Sequence, residues 1–154
     1  MDLFGLSEWL KDCADDCKKE IEREVEKEAK VVQAQAKLLA PVDTGNLRNN
    51  INTSVKWEGN TCVGVISADT SYSVFVEYGT GIYSSLGTGR QTPWVYAPVY
   101  TPDETHFYWT QGQQPQPFMN PAYENTKDKI FRDLTEMVGR LLKWFYWMKK
   151  FMIS

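Results

Sequence analysis

The tripeptide Asp43-Thr44-Gly45 is the segment of this sequence that most directly suggests chemistry. Small dimeric aspartic proteases use such a tripeptide to set two carboxylates against each other, so that the pair shares one proton. In those enzymes the aspartate follows a buried apolar strand, whereas Asp43 follows a charged segment and the dipeptide Pro41-Val42. A local role accounts for the same residues, because Asp43 or Thr44 can cap the next turn through a side-chain oxygen. We favour this turn and keep a dimeric aspartic protease as the alternative.

Two glycine-rich segments and the single histidine are the other residues that suggest a ligand site. Gly79-Thr80-Gly81 and Gly87-Thr88-Gly89 open no predicted helix, and no Gly-Lys-Ser/Thr sequence follows them. They are therefore typical of turns and not of a phosphate-binding loop. His106 has no second metal ligand near it in the sequence, whereas a structural zinc site needs about four ligands. We expect no metal, no cofactor and no catalytic residue.

The positions of the three cysteines in the sequence favour free thiols over disulfides. Cys13 and Cys17 are one helical turn apart on one face, which is a poor geometry for a disulfide inside a regular helix. Cys62 falls within a predicted strand and has no base near it in the sequence, so it lacks the activation that a nucleophilic thiol requires. Buried free thiols are the simplest interpretation.

The composition fits one domain with aromatic surface left for partners. The chain has 154 residues, of which 42% are hydrophobic and 14% aromatic, and aromatic side chains are enriched both in cores and in protein interfaces. A formal net charge of -3 argues against a stand-alone nucleic-acid binder, which needs a basic surface. Met1 to Lys11 lack the basic start and apolar stretch of a secretory signal, so we expect synthesis in the cytoplasm.

Apolar residues recur three and four positions apart in two long segments, which predicts two long helices. The first runs from Ser7, a suitable N-cap, to Leu39, where Pro41 ends it, and its charged middle at 18–30 is predicted to be a solvated face. The second occupies 121–152, with Asn120 as its N-cap and Pro121 at the first helical position.

The end of the second helix is apolar on all sides from Leu141 onward. A helix of this kind is typically buried on every side, which favours a partner subunit, with docking on a membrane surface as the alternative. Lysines interrupt the segment, whereas a membrane span needs about 20 apolar residues. We therefore predict no membrane span here.

Alternating residues predict a β-meander over 50–78. The odd-numbered residues from Ile51 to Trp57 share one side of a first strand, and a tight connection at Gly59-Asn60 leads to a second strand, Thr61 to Ala68. Tyr72 to Tyr78 is rich in β-branched and aromatic residues and is predicted as the third strand.

Residues 79–117 carry most of the glycine and proline, which predicts a long loop. A solvated linker would not hold so many aromatic residues, so we expect this loop to order against a partner. Thr105 to Thr110 is predicted to return as a fourth strand.

Three segments together resemble one protein family. They are Ala40-Pro-Val-Asp-Thr-Gly-Asn-Leu-Arg48, Tyr72-Ser-Val-Phe-Val-Glu-Tyr-Gly-Thr80 and Gln116-Pro-Phe-Met-Asn-Pro-Ala122. Their order and spacing resemble the tail-completion, or neck, proteins of long-tailed, siphovirus-type bacteriophages. In that family a long helix leads through an "APVDTGxLR" turn to a strand reading "YaxxvEyGT", then to a variable loop and a "rPFmxPA" segment that opens the final helix. The resemblance spans nearly the whole chain, most clearly 29–130.

The resemblance implies a non-enzymatic virion protein that joins the head to the tail. As a subunit of the head-tail connector it would form a ring of about six copies around the channel through which DNA leaves the head. The implied partners are a neighbouring connector ring of the head-completion or stopper type and tail-terminator or tail-tube proteins. Contact with the passing DNA would be passive, the location would be the neck of the virion, and no stable membrane association is expected.

We predict a single α+β domain over 1–154, in which two long helices pack on a small antiparallel β-sheet and a long aromatic loop extends from it. Structural turns are predicted at Asp43, Thr44, Gly45, Gly79 and Pro121. The residues predicted to contact another subunit or a partner are Trp94, Tyr96, Phe107, Trp109, Phe118, Trp144, Trp147 and Phe151.

Overall fold

The structure is a computed structural model, and it describes residues 3–96 and 107–152. In chain order its elements are α1 (Leu3–Leu39), α2 (Asn46–Asn49), β1 (Ile51–Glu58), β2 (Thr61–Ala68), α3 (Ser73–Tyr78), a 3-10 turn (Gly81–Tyr83), β3 (Trp94–Tyr96), β4 (Tyr108–Thr110) and α4 (Met119–Met152). The strands form two antiparallel two-stranded sheets, β1-β2 and β3-β4. The predicted α+β class, with two long helices and small antiparallel sheets, is confirmed.

The chain divides into two compact units. The first, called the helical unit below, comprises Met1–Gln35, Asn52–Ser67 and Ala122–Ser154. The second, called the loop unit, comprises Ala36–Ile51 and Ala68–Pro121. The single domain inferred from the sequence stays a prediction.

The first long helix ends where the sequence predicts and begins earlier. It stops at Leu39, before Pro41, but it starts at Leu3 and not at Ser7. The apolar spacing of three and four continues from Leu10 back through Leu6 to Leu3, so nothing in the sequence breaks the helix at Ser7. The side chain of Ser7 lies outside the described residues.

The hairpin β1-β2 packs in the helical unit against α1. Side chains of β1 alternate between more buried and exposed positions, which confirms the predicted period of two. Gly59 adopts a φ of 62° at the first position of the two-residue turn, as hairpin turns of this length require. Strand β2 lies so close to α1 that a Cβ on Gly64 would stand 3.1 Å from Cγ1 of Val25.

Residues 73–78 form helix α3, so the predicted third strand is wrong. The short apolar run from Val74 to Val76 is compatible with either a strand or a helix, because periodicity cannot separate the two over so few residues. The buried residues of this segment are Ser73, Val76 and Glu77, which is the three- and four-residue spacing of one helix face. The hydroxyl of Ser73 binds the carbonyls of Ala68, at 3.1 Å, and Thr70, at 2.9 Å, at the start of this helix.

Part of the predicted loop is ordered into a small hairpin. Strand β3 pairs with β4 in the register Trp94 with Thr110 and Tyr96 with Tyr108. Strand β4 falls within the segment predicted as a fourth strand, whereas Thr105 and His106 lie outside the described residues.

The charged middle of α1 is only partly the solvated face that the sequence predicts. Ion pairs between exposed side chains are present, such as Lys30 with Glu26 at 2.6 Å. Two carboxylates are nevertheless buried in the helical unit, those of Glu24 and Glu28. They face basic residues of α4, because Lys129 Nζ stands 3.6 Å from a Glu28 oxygen and an Arg140 nitrogen stands 3.9 Å from a Glu24 oxygen.

Over 3–96 and 107–152, no helix combines the length and the apolar character that crossing a bilayer requires.

Candidate functional site

A buried carboxylate in the loop unit joins the second sequence motif to the third. Glu77 lies on the buried face of α3. Its Oε2 accepts hydrogen bonds from the backbone N–H groups of Phe118, at 2.7 Å, and Met119, at 2.9 Å. Its Oε1 accepts a third from the N–H of Asn120, at 2.9 Å. One side chain therefore holds the start of α4 by three backbone contacts.

These three bonds satisfy the donors that the start of a helix leaves without intrahelical acceptors. The next residue, Pro121, has no N–H, so Glu77 binds every backbone N–H from Phe118 to Pro121. A negative charge at this position also interacts favourably with the helix dipole. The predicted cap was Asn120, but α4 begins at Met119 and the N–H of Asn120 is itself bound by Glu77. The start of α4 is therefore capped by the Glu77 carboxylate, which is distant in sequence, and not by the local side chain of Asn120.

Hydrogen bonds of the backbone and of the Thr80 hydroxyl pair the two ends of the 79–117 segment. The N–H of Thr80 donates to the carbonyl of Gln113 at 2.9 Å, and the N–H of Gln113 donates to the Thr80 hydroxyl at 2.8 Å. Further along, the N–H of Gln116 donates to the carbonyl of Val76 at 2.8 Å. The segment therefore leaves α3 and returns to α4 through a base that hydrogen bonds close.

Gly79 sits at this base in a conformation that other residues avoid. Its φ is 73°, and a Cβ at this position would stand 2.8 Å from the carbonyl oxygen of Gln113 and 2.9 Å from Cδ of Pro115. Both the backbone angle and the space therefore require glycine.

The first motif forms a turn between α1 and α2. Thr44 Oγ1 accepts a long hydrogen bond, 3.4 Å, from the N–H of Asn46, and Gly45 has a φ of 82°. The side-chain amide of Asn46 donates to the hydroxyl of Tyr72 at 3.1 Å, which links the first motif to the second. Asp43 is exposed in this turn. It follows α1 and not a buried strand, so the setting that an aspartic protease requires is missing around Asp43.

Residues of all three motif regions line one cavity of about 400 Å³ in the loop unit. The walls consist of Pro41 to Leu47 from the first motif, Tyr72 and Val76 from the second, and Gln116 from the third, together with Gln113. Within 3–96 and 107–152, no group of His, Cys, Asp and Glu side chains is arranged to hold a metal ion, and His106 lies outside this range. The lining includes Asp43 and the amide-bearing residues Asn46, Gln113 and Gln116.

The hairpin β3-β4 displays aromatic side chains of the predicted contact set. The guanidinium of Arg90 lies over the Trp94 ring, 5.6 Å from its centroid, and the rings of Tyr96 and Tyr108 are 5.9 Å apart. Large apolar side chains are exposed along the hairpin: Val95, Tyr96, Phe107, Tyr108 and Trp109.

The end of α4 displays the rest of that set on the helical unit. Trp144 packs edge-on against Phe145, with 5.2 Å between the ring centroids, and it also lines a cavity between α1 and α4. Trp147 is exposed. The side chain of Phe151 lies outside the described residues.

Phe118 does not fit the predicted contact set. Its side chain is 0% exposed, so it is a core residue of the chain and has no surface to offer a partner.

Sequence reasoning missed two groups of buried charge. Glu77 was assigned only to the end of a predicted strand. A negative charge also stabilises the start of a helix, so an acidic residue of one motif is a candidate cap for a helix that begins much later in the chain. Glu28 was assigned to a solvated face, yet its carboxylate is 3% exposed, and no pattern in α1 distinguishes it from its exposed neighbours.

Comparison with known proteins identifies one family. A family model described as "Bacteriophage HK97-gp10, putative tail-component" matches residues 5–79. The match includes the first motif and all of the second except Thr80, so the resemblance to phage tail proteins is confirmed over this part of the chain. No curated protein and no solved structure shows significant similarity to the chain.

Proposed function

Because residues 5–79 are similar to a bacteriophage tail component, we propose that this protein is a structural subunit of the phage neck that completes the tail and joins it to the head. In this role it forms a ring, with about six copies, around the channel through which DNA passes. Its partners are a connector ring of the head-completion or stopper type and a tail-terminator or tail-tube protein. It is located in the virion.

The observation that carries the proposal is the link between Glu77 and the start of α4. The family match ends at residue 79 and so leaves out the third motif, 116–122. Hydrogen bonds from Phe118, Met119 and Asn120 to Glu77 tie that third motif to the second. The chain beyond the match is therefore built onto a matched residue, which supports extending the likeness to the whole loop unit.

The exposed aromatic side chains support the assignment to an assembly. A ring subunit buries side faces against its neighbours in addition to its own core, and interfaces are enriched in aromatic residues. The hairpin β3-β4 exposes Tyr96, Phe107 and Trp109, and the end of α4 exposes Trp147. We assign these surfaces, with Trp94 and Trp144 beside them, to contacts with other subunits.

The net charge supports a passive role toward DNA. A channel through which a duplex slides is served by weak acidity, because a basic surface would bind the phosphates. The formal net charge of -3 agrees with this requirement.

Similarity to a structural tail component favours a role without catalysis. The hypothesis of a dimeric protease needs Asp43 beside a second carboxylate, and Asp43 lies exposed in the turn after α1. Replacement of Asp43 by Asn separates the two functions, since it would abolish proteolysis and leave assembly largely intact.

The direct test is the mass of the purified protein, alone and after addition of connector or tail-tube components, measured by light scattering and native mass spectrometry. The proposal expects either a closed ring of about six copies or a monomer that joins rings when the components are added. A stable dimer that ignores those components would overturn it.

A further inference from the structure

We propose that neighbouring copies in this ring associate through the helical unit, with the basic, apolar side of α4 on one copy packed against the acidic start of α1 on the next. The inference depends on the proposed ring and specifies which faces form it. It assigns a second copy of this chain as the partner of a surface that the chain leaves exposed.

Helix α4 carries a second apolar stripe in addition to the one that it buries. Met137 is buried, and Leu134 and Leu141 line cavities against α1. On another side lie Phe131, Val138, Leu142 and Phe145, at spacings of seven, four and three residues. These four side chains are between 41% and 76% exposed. An apolar stripe with this spacing is what one helix presents to another.

The charge beside this stripe has one sign. From Met137 to Met152 the chain has four basic residues, Arg140, Lys143, Lys149 and Lys150, and no acidic residue. Lys143 is exposed, and no ion pair to it is present within the described residues. The formal net charge of the whole chain is -3, so this segment contrasts with the rest of the protein.

The start of α1 carries an excess of the complementary charge, since five acidic residues outnumber three basic ones between Ser7 and Glu20. Glu8, Asp12 and Asp15 follow one another at four and three residues, which places them on one stripe of the helix, and all three are exposed. Among the described residues no ion pair involves Asp12 or Asp15.

A cavity beside the acidic stripe provides space for an incoming side chain. It has a volume of about 270 Å³ and lies between α1 and α4, where Asp16, Cys17 and Glu20 form the wall from α1. A side chain from the exposed stripe of the next copy, such as Phe145 or Leu142, has the apolar character that the Leu141 and Trp144 wall requires.

A contact between two different faces is the kind that closes a ring. A face that binds itself gives a two-fold dimer. When an acidic face binds a basic one, a row of copies keeps one unpaired face at each end until the ring closes. Both faces belong to the same compact unit, so every copy offers both. Opposite charge also selects this pairing over like faces.

Charge reversal in trans tests the proposal. The first variant carries Asp12→Lys and Asp15→Lys, and the second carries Lys143→Glu and Lys150→Glu. Each variant alone is expected to raise the concentration at half-assembly by about tenfold or more, because like charges then face each other. An equal mixture of the two is expected to assemble as the unaltered protein does, since every contact between unlike variants again pairs opposite charges.

The outcomes distinguish three cases under conditions in which the unaltered protein assembles. Rescue by the mixture supports a contact between copies. If assembly is restored only when all four substitutions are in one chain, the contact lies within a copy and the inference is overturned. If each variant assembles normally on its own, the inference is also overturned, but the proposed ring is not. Failure of the unaltered protein to assemble with or without its components would instead remove the proposed function.

Two controls keep the result interpretable. Lys56→Glu reverses an exposed charge of strand β1, which belongs to neither face, and is expected to leave assembly unchanged. Circular dichroism melting of each variant checks that it folds. If a reversal variant unfolds, neutral Asp12→Asn with Asp15→Asn and Lys143→Gln with Lys150→Gln take its place, with a smaller shift in the same direction.

Discussion

The Glu77 carboxylate binds the backbone N–H of Phe118 at 2.7 Å, and the ring of Phe118 is completely buried. One residue therefore serves both as the first donor to a helix cap and as a centre of the core. The two roles are linked, because the burial of Phe118 removes its N–H from water and leaves Glu77 as its acceptor. This coupling makes the base of the 79–117 segment a single structural element.

Replacement of Glu77 by Gln tests the cap. Glutamine keeps the shape but loses the charge, and it can offer only one acceptor oxygen to three N–H groups. We expect the free energy of unfolding to fall by about 1–3 kcal/mol, the range for buried groups left without a partner. Urea denaturation at neutral pH measures the change. Glu136→Gln on the exposed surface of α4 is the control, and an equal loss in both variants would contradict a special role for Glu77.

Replacement of Gly79 by Ala tests the close approach at the loop base. A Cβ at Gly79 would meet the backbone of Gln113 at 2.8 Å, whereas a Cβ at Gly87 would meet nothing within 4 Å. Both glycines have positive φ values, 73° and 69°, so alanine is strained at either position, and Gly79, with a ψ of 178°, lies in a region that is essentially restricted to glycine. We expect Gly79→Ala to be clearly less stable than Gly87→Ala in urea denaturation. Equal stabilities of the two variants would show that the backbone around Gln113 accommodates the added methyl group without loss of stability.

Replacement of Phe118 by Ala tests its assignment to the core. Removal of a fully buried phenylalanine typically costs about 3–5 kcal/mol, since it leaves a cavity. Phe107→Ala is the matched control, because Phe107 is 70% exposed and its loss should change stability by no more than about 0.5 kcal/mol. Thermal and urea denaturation measure both variants. A Phe118→Ala protein of unchanged stability would refute the burial seen here.

The sequence predicts well the elements that have a long, regular pattern. Helix α1 and the hairpin β1-β2 repeat their apolar positions often enough to identify the period, and Pro41 and Gly59-Asn60 mark where the chain turns. The six residues of α3 are too few for such a pattern, and their β-branched side chains pointed to a strand. The exposed turn of the first motif could also be predicted from the sequence, because its residue types favour turns.

Contacts between distant residues could not be predicted from the sequence. The cap on α4 joins Glu77 to Asn120, and no local pattern at Asn120 indicates that its N–H is already bound. The burial of Glu28 likewise depends on the approach of α4, which brings Lys129 to 3.6 Å. Both predictions would require knowing which elements are neighbours in the fold, and the periodicity of residues within one element does not give that information.

The three cysteines are expected to react slowly in the folded protein. Burial raises the pKa of the Cys13, Cys17 and Cys62 thiols above the ordinary value of 9.0, and nearby carboxylates raise it further. Because the thiolate is the reactive form, little of it is present at neutral pH. Ellman's reagent at pH 7 should therefore modify the native protein at least about tenfold more slowly than the protein in urea. Rapid modification of one thiol in the native state, assigned by Cys→Ser variants, would contradict this environment for that residue.

The ion pair between Lys129 and Asp133 predicts a small loss of stability in acid. A hydrogen bond from Lys129 Nζ to Asp133 at 2.6 Å holds the pKa of that carboxyl below its ordinary value of 3.8. The unfolded chain therefore takes up this proton at a higher pH than the native protein does, so the stabilisation is present at neutral pH and declines as the pH falls below 3.8. The difference in unfolding free energy between the unaltered protein and Asp133→Asn should shrink over that interval, in a urea denaturation series at low salt, because salt screens surface pairs. Asp128→Asn serves as the control for an exposed carboxylate of α4. A difference that stayed constant from neutral to acid pH would mean that Asp133 contributes through its shape and not through its charge.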